Sequence, residues 1–251
     1  MKRFLVAACV AALAAGLGAN ARSDDRDAQA VLDKAMKALG GEDKLAKLQA
    51  ATWKAKGTIR IGGNDSDFTS QSTVQGPDQF RQEFEGEFGG NKVTGVTVLN
   101  GDKGWRKFGD NVMALDKAGV ANQKRGVYLQ MTPVTLLPLR GKGFKVRAAG
   151  EEKVGGQPAA VLEVTGPDGK DFKLSFDKKS GLPVKQVAKV PGFMGGEATQ
   201  ETTFGGYKDF GGIKKATKID AKRDGEKFLE QEITEFKVVK KVDPKTFAEP
   251  Q

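Results

Sequence analysis

Glu83, Glu85 and Glu87 fall at every second position of the run Gln79–Phe88. A strand there turns three carboxylates to one face and Gln82, Phe84, Gly86 and Phe88 to the other. Paired carboxylates can do acid–base work on a glycan. An alternating charged face is also what a strand shows to water, and no second feature gathers these glutamates into a site. Ser180 sits beside Gly181 in a turn; Gly-x-Ser-x-Gly does not occur, and the sequence has no histidine to take a serine proton. The run Asn64-Asp65-Ser66-Asp67 resembles the start of a calcium loop but lacks the following glycine and the distal glutamate, so it reads as a hairpin tip. The one cysteine, Cys9, lies in a segment expected to be removed. Neither thiolate, imidazole base nor zinc ligand then remains. We expect no catalytic residue, no metal and no cofactor: the protein reads as something other than an enzyme.

What remains is apolar. Residues 117–139 contain Val120, Val127, Tyr128, Met131, Val134, Leu136, Leu137 and Leu139, the most apolar stretch after the N-terminus. Its period is helical rather than two. Thr132-Pro133 reads as an N-cap and first residue of a second helix, which Pro138 limits to about a turn and a half. Such an insertion either closes the core or forms a movable lid over an apolar groove. The run Pro191-Gly192-Phe193-Met194-Gly195-Gly196 has the composition of a flexible loop at a mouth, or of a long hairpin loop whose phenylalanine tucks inward.

Strands must position these pieces. Phe172, Leu174 and Phe176 alternate with polar residues; Val184 and Val187 follow the Ser180-Gly181 turn, and Ile213, Ala216 and Ile219 come later. Runs at 53–61, 68–75, 79–88, 92–99, 103–108, 111–115, 144–149, 157–165 and 170–176 have strand character, with Asn100-Gly101 as a hairpin turn. Ala28, Val31, Leu32, Ala35, Met36 and Leu39 have helical spacing after an N-cap at Ser23, and Gly40-Gly41 ends that helix. The fold class is α+β: one antiparallel meander of about eleven or twelve strands, one face apolar, with helices to cover it.

Lys2 and Arg3, an apolar run and Ala19-Asn20-Ala21 form a secretory signal, residues 1–21, with cleavage after Ala21. Val6-Ala7-Ala8-Cys9 looks like a lipidation box but lies too close to Arg3 to leave an export core. Residues 22–251 are then a single periplasmic domain. The sequence holds 41 Lys+Arg and 32 Asp+Glu; removing Lys2 and Arg3 leaves 39 and 32, a net charge of +7. That surplus is a solvated surface or an attraction to anionic head groups, a transient membrane contact. Export and the lack of interleaved aromatic and basic motifs exclude nucleic acid. Two Trp, two Tyr and 29% charged residues do not make the aromatic girdles of an outer-membrane barrel.

Val98-Leu99-Asn100-Gly101-Asp102-Lys103-Gly104-Trp105, the exported helix ahead of long strands, and the ending Val242-Asp243-Pro244-Lys245-Thr246-Phe247 together resemble the periplasmic lipoprotein-carrier superfamily, the LolA/LolB-like fold. The resemblance implies a strongly curved open antiparallel sheet, an incomplete barrel, with helices on its concave side and acyl chains between. It implies that residues 117–139 are the lid. Candidate lipid-binding residues are then Trp105, Tyr128, Met131, Val134, Leu136, Leu137, Leu139, Phe193, Met194 and Phe204. The resemblance also leads to an arginine before Pro77, where this chain has Gly76. The expected function is a periplasmic, monomeric carrier of lipid or lipoprotein acyl chains. The alternative is a docking or envelope-structural module without lipid, using the open sheet's edges.

Overall fold

The computed structural model describes residues 16–192 and 195–251, with side chains from residue 26 onward. Helix α1 (Gly16–Leu39) and the short α2 (Glu42–Leu45) precede the strands. These are β1 (Ala50–Ile61), β2 (Asn64–Gln75), β3 (Gln79–Phe88), β4 (Asn91–Asn100), β5 (Lys103–Phe108) and β6 (Asn111–Ala114). Helix α3 (Lys117–Thr135) and a 3-10 turn (Leu137–Arg140) follow. Then come β7 (Lys145–Val154), β8 (Gln157–Thr165), β9 (Asp171–Asp177), β10 (Pro183–Pro191) and β11 (Glu197–Gly205). The last strands are β12 (Lys208–Asp209), β13 (Lys214–Lys215), β14 (Lys218–Arg223) and β15 (Glu226–Val239), before a 3-10 turn at Pro244–Phe247.

Thirteen strands form one open antiparallel sheet, in the order β6-β5-β4-β3-β2-β1-β15-β14-β11-β10-β9-β8-β7; β12 and β13 pair separately. Eleven or twelve strands were expected. The run 212–221 breaks into β13, which leaves the main sheet to pair with β12, and β14, which stays in it. The chain of hairpins is interrupted where α3 sits, and β1 closes the two halves by pairing with β15. Gly57 on β1 pairs with Phe68 on β2, which pairs with Gly86 on β3. A Cβ on Gly57 would stand 2.0 Å from the Glu230 carbonyl oxygen, and one on Gly86 2.9 Å from that of Asp67. Only glycine admits this closeness of strands.

Burial follows the periods. Ala28, Leu32, Ala35, Met36 and Leu39 of α1 pack with Leu162, Val164, Phe172, Leu174 and Phe176. A second cluster joins Val120, Val127 and Val134 of α3 to Trp53, Val74, Phe80, Leu99, Ile233 and Phe236. We call the face carrying these residues the inner face. On the other face Trp105, Val98, Val242 and Phe247 pack together, so the C-terminal 3-10 turn covers part of the outside.

Several local expectations are corrected. The α1 backbone already begins at Gly16, so Ser23 lies within the helix rather than at its start. The export segment otherwise lies outside the described residues, apart from 16–21. Thr132-Pro133 does not start a helix: α3 runs through both, and the Thr132 hydroxyl donates to the Tyr128 carbonyl. Asp116 is the cap, accepting from Gly119 N at 2.7 Å, and Leu136 at φ 59° ends the helix. The β4–β5 turn is Gly101-Asp102 rather than Asn100-Gly101, because Asn100 still pairs with Lys103. Only Gly101 has positive φ there (61°), as a type II′ turn requires. Val187 does not face inward; Gln186 does, and its Nε2 donates to the Leu129 carbonyl at 3.1 Å, tying β10 to α3.

Candidate functional site

Between α3 and the inner face lies a cavity of about 560 Å³, within the ~300–1,000 Å³ usual for small-ligand sites. β1 contributes Trp53, Ile59 and Ile61; β2 and β3 contribute Phe68, Phe84 and Phe88. Phe108, Phe204, Ile219, Phe228, Leu229, Ile233 and Phe236 complete most of the apolar wall. α3 adds Asn122, Arg125, Gly126, Leu129, Gln130, Met131 and Pro133. Asn122, Arg125, Gly126, Leu129, Gln130 and Pro133 recur in steps of three and four as one stripe of the helix, whereas Met131 reaches the wall from the side of Val127 and Val134. Trp53 and Ile61 are eight residues apart on β1, so the wall runs for up to roughly 26 Å at ~3.3 Å per residue.

The cavity has a deep end and a mouth. Trp53, Ile233 and Phe236 are buried, whereas Phe108 is 44% exposed. The mouth is the end of the sheet where the β1–β2, β3–β4, β5–β6 and β14–β15 hairpins turn. Gly126 matters here: a Cβ placed on it would meet nothing within 4 Å. A mid-helix glycine costs helix stability, and no neighbouring atom requires one here: the position borders open space.

The charges in the wall are one-sided. Arg125, Lys215 and Arg223 line the cavity, and no Asp or Glu does among the described residues. Arg125 is committed. Its Nη1 bonds Asp168 Oδ2 at 3.0 Å and the Tyr128 hydroxyl; its Nε and Nη2 donate to the carbonyls of Lys189 and Asp171 at 3.0 and 3.2 Å. Burial pushes the Asp168 carboxyl up, but the Lys170 N–H, the Tyr128 hydroxyl and Arg125 hold it below its usual value. Burial and Asp168 push the Tyr128 phenol up. Arg223 lies over the Phe228 ring at 3.6 Å and donates to Gln200 Oε1 at 3.1 Å. Lys215 is 8% exposed, and burial lowers its pKa to about 8.

The structure divides the sequence candidates. Met131 and Phe204 line the cavity. Tyr128 turns away into the Arg125–Asp168 cluster, its ring against Phe144 and Phe172. Val134, Leu136 and Leu139 are core residues, and Leu137 packs half-buried on the same cluster as Leu136. Trp105 is corrected: it pairs with Val98 on the outer face, one residue out of phase with Leu99 and Gly104. Trp53 takes the place expected of it. Phe193 and Met194 lie outside the described residues. The phenylalanines near the hairpin tips were missed, although their shared inward phase in successive strands was a readable signal.

The groups first considered for chemistry lie elsewhere. Glu83 pairs with Arg81 at 2.7 Å and Glu85 with Lys92 at 2.8 Å, both on the wet face. The Ser180 hydroxyl donates to Asp177 Oδ1 at 2.7 Å inside its turn. Asp65 belongs to β2 rather than to a tip, and Arg60 grips it at 2.7 and 2.9 Å.

No protein-family model matches the sequence, and no curated protein does. Solved structures match in architecture. A LolA superfamily protein from Nitrosomonas europaea superimposes with TM-score 0.57 at 12% identity, over 88% of this chain and 97% of that one. The chain has the LolA-like fold. A DUF1329 family protein from Desulfovibrio piger gives 0.55 at 15% identity over 88% and 97%. A putative outer membrane lipoprotein-sorting protein domain from Vibrio parahaemolyticus gives 0.52 at 12% over 86% and 97%. Within this LolA-like fold, Gly76 at φ 63° stands before Pro77, and Arg125 within α3 makes the contacts that pin the helix.

Proposed function

We propose that this protein binds or carries lipid or acylated lipoprotein in the periplasm, with acyl chains held between the concave side of the sheet and α3. The observation that carries this is the elongated aromatic and aliphatic cavity beneath α3, with Gly126 leaving it open. The LolA-like fold and the likeness to a lipoprotein-sorting domain support a role in binding lipid or lipoprotein. Each methylene taken from water contributes ~0.8 kcal/mol, so one long acyl chain supplies roughly 10 kcal/mol before ordering costs. Binding of this kind needs no catalytic group. Residues 22–251 act as one monomeric unit after export and cleavage at Ala21, and the net charge of +7 favours brief contact with anionic membrane.

Gly126 provides the test. Gly126→Leu projects a side chain into the cavity and abolishes uptake of a fluorescent acyl probe, while circular dichroism and thermal unfolding show an intact fold. Gly126→Ala, which adds little volume, gains about 0.5–1 kcal/mol in urea unfolding from helix propensity alone. A Gly126→Leu protein that is folded and binds the probe as before contradicts the cavity as the acyl site.

A further inference from the structure

We propose that Lys215 anchors the anionic head of a long-chain amphiphile that enters this cavity head first, its hydrocarbon running back toward the hairpin tips. This rests on the lipid-binding reading and specifies which lipids fit it. The Lys215 ammonium faces a deep, apolar part of the wall. Its Nζ lies 5.3 Å from the centre of the Phe236 ring and 5.7 Å from that of Trp53. Both rings line the cavity, and both are buried. Ile213, Ala216 and Thr217 beside it in sequence are buried too.

Three cations line the cavity, and their commitments differ. Arg125 is neutralised by Asp168. Arg223 sits toward the mouth, half-buried, with Gln200 and Phe228 as partners. Lys215 has only ring faces, and among the described residues it forms no ion pair. A buried charge is retained when it is paired. No carboxylate of the chain lines this cavity among the described residues, so the complementary charge must arrive with the ligand. One ammonium with three donors suits a carboxylate or a phosphate monoester. An apolar approach from the mouth suits a hydrocarbon tail trailing behind that head.

The test uses full-length protein stripped of lipid on a hydrophobic resin. Dissociation constants are measured for cis-parinaric acid and for its methyl ester, which has the same chain and no charge. Wild type should favour the acid by about tenfold or more, the scale of one charge-assisted hydrogen bond. Lys215→Met and Lys215→Gln should bind acid and ester alike, with the ester constant unchanged. Lys214→Met, at an exposed neighbour, should keep the preference. Displacement of the probe by palmitate and by an alkyl phosphate then separates the two head groups. A preference for acid that survives in both Lys215 variants overturns the proposal. So does a preference lost in Arg223→Gln but kept in Lys215→Met, which places the head at the mouth. Equal binding of acid and ester by wild type overturns the head-group assignment alone. Failure of wild type to bind either probe overturns the lipid-binding reading with it.

Discussion

Lys215→Met stabilises the lipid-free protein at neutral pH. Burial lowers the folded-state pKa of Lys215 from 10.5 to about 8, a penalty of about 3 kcal/mol at 1.36 kcal/mol per unit. The Trp53 and Phe236 faces offset roughly 1 kcal/mol of it, so the expected net gain from removing the charge is about 2 kcal/mol. In a chain of this length that raises Tm by roughly 4–8 °C. The pH dependence follows from the direction of the shift. Below about pH 8 folding must bury the charged ammonium, and the penalty is complete. As pH rises from about 8 to 10.5 the folded chain has lost the proton that the unfolded chain still holds, and the penalty fades. The stability gap between variant and wild type therefore closes across that window. Urea unfolding at a series of pH values checks it. A variant less stable than wild type, or a gap that does not change with pH, contradicts an unpaired ammonium. A residue that weakens the empty protein and favours an anionic ligand trades stability for binding.

Arg125→Met acts in the opposite direction. The guanidinium holds α3 to the β8–β9 hairpin through Asp168 and the Asp171 carbonyl, and to β10 through the Lys189 carbonyl. Its side chain is 3% exposed and that of Asp168 26%. Breaking a buried pair from one side costs ~3–5 kcal/mol; the partial exposure of Asp168 puts the expected loss near about 3 kcal/mol. Asp168→Asn, which keeps an acceptor for Arg125, should cost about 1 kcal/mol. Hydrogen exchange gives the second readout. α3 amides should exchange faster in Arg125→Met than β1 and β15 amides, because the helix loses its tether while the sheet centre does not. Uniform acceleration across α3 and the sheet contradicts a local pin.

The strands were legible because hairpin turns and period-two alternation bound them: β3, β5 and β8 have the expected limits. The buried face of α1 was legible from its 3.6 period. The inward phase of β5 was not. Alternation says that two faces differ, but the C-terminal turn buries Val98 and Trp105 on the outside, so both faces of that hairpin carry apolar residues. The continuity of α3 through Pro133 was missed because proline was read as a helix start. It sits instead in the last turns, where tertiary packing of Val134 and Leu136 decides. Apolar composition alone does not separate the residues of α3 that fill the core from those that face space. Val127 and Met131 look alike in sequence, yet one is core and the other is wall. Better signals were the residues that break local rules: a glycine in mid-helix at Gly126 and a lysine between Ile213 and Ala216.

The measurement closest to the central claim is mass spectrometry of an organic extract of the protein purified gently from the cell envelope, compared with Gly126→Leu prepared in parallel. The expected result is a long-chain lipid in near-stoichiometric amount with the native protein and its absence from the variant. An extract of the native protein that holds no lipid, or the same lipid in equal amount with Gly126→Leu, contradicts an acyl chain in the cavity beneath α3.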